Sequence, residues 1–141
     1  MVASIDLEAR LRTYRDRVEV ALEELVSEEM LGPSAEAMAM ARTILMAGGK
    51  RWRPVLTLLA HEAAGGSPTD EVMDLALAFE LIHTATLVHD DIVDDAQLRR
   101  GLLSINSMWK NKIAVLTGDY FLAKGLHLAV SNQDYDVLSL I

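Results

Sequence analysis

A chain of 141 residues, 51% of them apolar, can bury one core, and a net charge of −8 leaves no broad basic face for nucleic acid. The absence of cysteine excludes disulfides and thiol chemistry, and the opening MVASIDLEARLR lacks the apolar run of a signal peptide. Glu80 and His83 interrupt the longest apolar stretch, so no membrane span is expected and a cytoplasmic location is the default. Abundant Leu, Ala, Met and Glu point to helices.

In chain order, Leu7, Leu11, Tyr14, Val18, Leu22 and Leu25 recur at spacings of three and four. They predict a helix over 5–30, with Ser4 as N-cap and Gly32-Pro33 as the stop. A second helix is expected over 34–46, with Met38, Ala41 and Leu45 inward and Gly48-Gly49 closing it. Pro54 suits a first helical turn and opens a third helix over 55–64, closed by Gly65-Gly66. Ser67 before Pro68 reads as the N-cap of a central helix reaching about Asp95. Val72, Leu75, Phe79, Ile82 and Thr86 form its expected apolar face. Beyond Gly101, a short helix is expected over 104–110 and a long one over 113–130 containing Gly118-Asp119. Asn132-Gln133-Asp134 reads as a turn. The apolar pattern from Tyr135 stops at Ile141 inside an apparent helix, so the chain is expected to be the N-terminal part of a longer protein. No strand signal, repeat or low-complexity tract is found.

Two charged stretches stand out. The central helix ends in Asp90, Asp91, Asp94 and Asp95, followed by Arg99, Arg100 and Gly101. On a helix, His83, Asp90 and Asp94 share one stripe, and the two aspartates lie about 6 Å apart along the axis. Acids at a helix C-terminus oppose the macrodipole, at about 0.3–1 kcal/mol each, and a divalent cation held by oxygen ligands would offset that. The other stretch, GKRWRP, places Lys50, Arg51 and Arg53 at a helix start, where cations are disfavoured and an anion is welcome. A diphosphate carried with Mg²⁺ satisfies both ends. Taken singly, each stretch is more often a solvated face, His83 a core histidine, and Trp52, Trp109 and the methionines packing. His61 and His127 carry no functional signal. The ordered combination is what favours a site.

GGKRWRP, then ELIHTATLVHDDIVDDAQLRRG, then AVLTGDYFLAKGL resembles the N-terminal half of the all-trans polyprenyl diphosphate synthases over nearly the whole chain. The DDxxD-x4-RRG arrangement is highly specific. The resemblance implies an all-α helical bundle of the isoprenoid synthase type, read as one helical domain over 1–141 and lacking its C-terminal half. It implies a homodimer that condenses an allylic diphosphate with isopentenyl diphosphate to a medium- or long-chain product, using Mg²⁺. By likeness, Asp90, Asp91 and Asp94 would hold the metal and Arg99 the allylic diphosphate. Gly49, Lys50, Arg53, His83 and Arg100 would bind isopentenyl diphosphate, while Arg51 and Asp95 match less firmly as ligands. Small residues at Ala85 and Thr86 would leave the product pocket open down to Ile82 and Phe79, giving products longer than farnesyl. The family's second aspartate-rich motif has no counterpart here, so this chain alone is expected to be inactive. Two alternatives differ in kind. One is a non-catalytic or regulatory subunit of a heteromeric prenyl synthase. The other is an HD-type helical metal phosphohydrolase built on His89-Asp90 with His61 and a later Asp, which needs histidine ligands and gives no reason for GKRWRP or Arg99-Arg100.

Overall fold

The computed structural model describes residues 6–28, 35–67, 69–94, 98–99, 102–103, 111–133 and 135–140. Helix α1 (Leu7–Glu28) is capped by Asp6, whose Oδ1 accepts from the Ala9 N–H at 3.1 Å. Such a cap contributes about 1 kcal/mol. Ser4, the expected cap, and the Gly32-Pro33 stop lie outside the described residues. One face of α1 buries Tyr14, Val18, Leu22 and Val26, whereas Leu7 is exposed. Helix α2 (Ala35–Met46) turns Met38, Ala41 and Leu45 inward as expected.

Helix α3 (Trp52–Ala63) starts three residues before the expected Val55, so Pro54 occupies its third position and is fully buried. Its end follows the Schellman pattern. Gly65 donates to the Glu62 carbonyl at 2.9 Å and Gly66 to the His61 carbonyl at 3.0 Å. Gly65 has φ +89°, a conformation open to glycine.

The central helix α4 (Asp70–Val93) is capped by Thr69 rather than Ser67, through a 3.4 Å bond from the Val72 N–H. It buries Ala76, Leu77, Ala78, Glu80, Leu81, Thr84, Ala85, Val88 and Asp91. The expected face was therefore misplaced: Val72, Leu75, Phe79 and Ile82 are half-buried and Thr86 is exposed. Helices α1 and α3 and a later helix, α5 (Asn111–Ser131), pack around α4, so its apolar residues do not confine themselves to one stripe. The closest and longest packing is α4 on α5, where Ala114, Thr117, Phe121 and Ala129 are buried.

Between α4 and α5 two short strands pair antiparallel, against the expectation of no strands. Strand β1 (Leu98–Arg99) pairs with β2 (Leu102–Leu103) in the register Leu98 to Leu103 and Arg99 to Leu102. Two-residue strands are too short to show alternation in sequence. The expected helix over 104–110 lies outside the described residues. After α5, Gln133 turns the chain with φ 56° into the short helix α6 (Tyr135–Leu138).

By length and composition alone, α4 and residues Lys112–Ser131 of α5 are long and apolar enough to cross a membrane. Glu80 and His83 therefore do not by themselves exclude a span. Core helices meet the same criterion, and here Glu80 is buried in an ion pair while α4 and α5 pack against each other.

Candidate active site

The turn from α2 into α3 forms one wall of a cavity of about 550 Å³. Gly48 enters the turn at φ +90° and Arg51 leaves it at φ 51°. The lining comprises residues 47–53 together with Glu80 and His83 of α4. Gly49, Lys50, Arg53 and His83, grouped earlier by resemblance, line this one cavity, with Lys50 and Arg53 exposed and His83 half-buried. Trp52 is not core packing: it is 51% exposed and faces the same cavity. The N-terminus of α3 opens here too, adding partial positive charge to that of the side chains.

Arg51 behaves differently from its neighbours. Its side chain is only 3% exposed. Nε donates to Glu19 Oε1 at 2.8 Å, Nη1 to Glu80 Oε1 at 2.9 Å, and Nη2 to Glu19 Oε2 at 3.3 Å and to the Leu45 carbonyl. Burial pulls its pKa down, but the hydrogen bonds and charges of Glu19 and Glu80 outweigh that and leave it raised. The group is a buried cation neutralised by two carboxylates.

At the far end of α4, Asp90 and Asp94 are exposed, and the Asp94 N–H donates to the Asp90 carbonyl at 2.8 Å in the last turn. Asp91 is 3% exposed, on the buried side. Asp95 and Arg100 lie outside the described residues, and Arg99 is placed in β1. Among the described residues, no three His, Asp or Glu side chains converge into a ready-made metal cage. The donors available are carboxylate oxygens, the type Mg²⁺ takes. Mg²⁺ characteristically completes its octahedron with water and phosphate oxygens rather than with protein alone.

His89, adjacent to these acids, reaches across to α5. Its Nε2 lies 3.3 Å from Asp119 Oδ1 and 3.5 Å from the Val115 carbonyl oxygen. Gly118 makes room, because a Cβ there would fall 2.3 Å from that nitrogen. His61 is engaged elsewhere, 3.1 Å from the Ser67 carbonyl oxygen. The two histidines thus have separate partners. Nothing local in the sequence marks Glu19; Glu80 stood out only as a charge within an apolar stretch, and Trp52 was expected to be packing.

The four product-length positions divide. Thr86 is exposed, and Ile82 and Phe79 are half-buried, on the side of α4 that leads to Asp90. Ala85 is 1% exposed within the core cluster. Ile82 also contacts α5: a Cβ on Gly125 would lie 2.8 Å from its Cγ1.

A helical bundle with a basic cradle at one helix start, and carboxylates at the end of the helix that lines it, has the architecture of the isoprenoid synthases. More specifically, the chain belongs to the polyprenyl synthetase family, whose profile matches residues 34–141. It is 41% identical over 110 residues to an all-trans-nonaprenyl-diphosphate synthase (geranyl-diphosphate specific) of Rhodobacter capsulatus, covering 78% of this chain and 34% of that protein. It is 49% identical over 109 residues to heptaprenyl diphosphate synthase component 2 of Geobacillus stearothermophilus, covering 77% and 32%. A polyprenyl synthase of Caulobacter crescentus, solved with calcium and isoprenyl diphosphate, superposes with a TM-score of 0.80 at 37% identity, over 93% of this chain and 40% of that one. The chain spans about a third of the length of these curated relatives.

Proposed function

We propose that this chain supplies the substrate-binding half of a Mg²⁺-dependent trans-prenyltransferase. The enzyme condenses an allylic diphosphate with isopentenyl diphosphate to a medium- or long-chain all-trans polyprenyl diphosphate. One observation carries the reading: α4 lines the basic cradle at His83 and presents Asp90 and Asp94 seven and eleven residues further on. Two diphosphate sites, one basic and one acidic, are thereby held on a single helix, separated by roughly 10 Å between His83 and Asp90.

Lys50, Arg53 and His83 anchor the isopentenyl diphosphate, with Gly49 leaving the backbone open beside it. Asp90, Asp91 and Asp94 would hold Mg²⁺, with Arg99 as a further partner of the allylic diphosphate and Arg100 of isopentenyl diphosphate. When bound, Mg²⁺ neutralises the charge that develops on the departing diphosphate. The allylic C–O bond breaks with its electron pair going to that diphosphate. The double bond of isopentenyl diphosphate then attacks the allylic carbon, and the proton lost from the adduct passes to the diphosphate. The apolar side chains of α4 keep water from the cation.

The same reading extends to a cytoplasmic homodimer. Heteromeric assembly is the second reading, favoured by the relative named component 2. The DDxxD run at Asp90 argues against a purely regulatory subunit.

The test is turnover of the intact gene product with farnesyl diphosphate, isopentenyl diphosphate and Mg²⁺, abolished by chelation. Asp90→Ala is expected to lower kcat by orders of magnitude, and Lys50→Ala mainly to raise KM for isopentenyl diphosphate. Identical kinetic changes in the two variants would refute the division into two sites.

A further inference from the structure

We propose that Arg51 is a positioning residue whose buried clamp on Glu19 and Glu80 fixes the turn presenting Lys50 and Arg53 to isopentenyl diphosphate. The inference rests on the function proposed above and assigns a role to a cation whose guanidinium is bonded to protein groups. Arg51 lies between the exposed Lys50 and Arg53, yet its own side chain is 3% exposed and its guanidinium is committed to three acceptor groups. Those acceptors belong to three different parts of the bundle: Glu19 to α1, the Leu45 carbonyl to α2, and Glu80 to α4.

The backbone argues the same way. Arg51 holds φ 51° and ψ 36°, a left-handed conformation that a residue with a Cβ avoids unless its surroundings impose it. No side chain caps α3, so the clamp holds the entry to that helix. Glu80 stands one turn before His83 on α4 and lines the same cavity. The guanidinium therefore ties the cradle's loop to the helix that carries its histidine. A lysine could not replace it, since one ammonium cannot reproduce a planar fork reaching carboxylates on two sides.

The experiment is calorimetric titration of isopentenyl diphosphate alone into the intact gene product, where no allylic partner is present to react. Removing Arg51 would orphan Glu80 in the interior and could unfold the protein, so the clamp is opened from outside through Glu19, which is 28% exposed. Glu19→Ala is expected to weaken isopentenyl diphosphate binding about 10-fold, roughly 1.4 kcal/mol, and leave farnesyl diphosphate binding with Mg²⁺ within about twofold of wild type. Glu19→Gln keeps an acceptor and should recover most of the affinity. Glu23→Ala, on the same helix as Glu19, breaks the surface pair with Arg42 of α2 and should change neither affinity. A purely structural clamp would lower the melting temperature without changing the isopentenyl diphosphate affinity of the folded protein, and that result overturns the inference. Equal loss of both ligands also overturns it. If wild type fails to bind isopentenyl diphosphate, the prenyl-transfer reading itself falls, and the clamp's role with it.

Discussion

Replacing Gly125 with alanine tests how closely α5 must approach α4 at Ala78, Leu81 and Ile82. A Cβ at Gly125 would lie 2.8 Å from Ile82 Cγ1, 3.1 Å from the Ala78 carbonyl oxygen and 3.3 Å from Leu81 Cβ. Carbon atoms pack best at about 3.5–4.0 Å, so α5 must retreat by roughly half an ångström or more. The Ala78 oxygen is backbone and cannot swing aside. Overpacking of this kind costs about 1–3 kcal/mol, while alanine gains about 0.5–1 kcal/mol over glycine within a helix. The loss wins by about 1 kcal/mol, or 2–4 °C of melting temperature for a domain of roughly this size. Gly118→Ala is the internal control. There the three atoms nearest the new Cβ all belong to the ring of His89, the end of a flexible side chain that is 35% exposed. Its exposed contact with Asp119 is worth a few tenths of a kcal/mol, about what the helix gains from alanine. Gly118→Ala should therefore melt at or slightly above wild type. Thermal melts of both variants decide the matter, and a Gly125→Ala protein as stable as Gly118→Ala would refute the close-approach argument.

Product chromatography of Thr86→Phe and Phe79→Ala in the intact enzyme should give shorter and longer chains respectively, since both residues lie on the side of α4 leading to Asp90; unchanged products from both would place the tail elsewhere. The 141-residue polypeptide alone is expected to show no prenyl transfer, because one acidic motif supplies only part of the diphosphate-binding charge; ordinary turnover without a partner chain would disprove this. Burial first, and then the charge of Asp70, raise the Asp74 carboxyl above its ordinary 3.8, against a smaller opposing hydrogen bond from Asn132. A raised acid binds its proton more tightly in the folded state, so its contribution is full below that ordinary value and is lost as pH rises through the raised one. Asp74→Asn should therefore melt higher than wild type at pH 7, and the advantage should vanish in melts below about pH 3.8.

The regular helices were legible because Val18, Leu22, Met38, Ala41 and Leu45 each repeat at helical spacing and all turn out buried. The face of α4 was not, since a helix surrounded by three others carries apolar residues on most sides and its periodicity singles out no direction. The caps differed by two residues, from Ser67 to Thr69, because Ser, Thr and Asp compete at helix starts and tertiary contacts select among them. Lys50 and Arg53 were readable together because their charge and position at a helix start suit one anion, whereas His83 joined them only through the family resemblance. Arg51 sits among them in sequence, but its direction is set by Glu19 and Glu80, 32 and 29 residues away. No local spacing encodes such a pairing. The reach of His89 to Asp119 was hidden in the same way, its only trace being a glycine beside the aspartate.

Charge in this bundle is placed against the helix dipoles at both ends of the candidate site. Lys50 and Arg53 crowd the start of α3, and Asp90 and Asp94 crowd the end of α4. Each such charge costs about 0.3–1 kcal/mol without a counter-charge. Arg51 shows what relief looks like inside the protein, where two carboxylates neutralise it and the charge becomes part of the core. The remaining cations and acids stay exposed, so their relief must come from solution. A diphosphate suits the cations, and Mg²⁺ with a second diphosphate suits the acids. Whatever relieves an unfavourable charge in the folded state, but not in the unfolded chain, stabilises the fold by its binding free energy. On the proposed function, substrate binding and fold stability would therefore be coupled through the same few side chains. The clamp on Arg51 joins the two ends, since Glu80 anchors the cradle to the helix that presents Asp90.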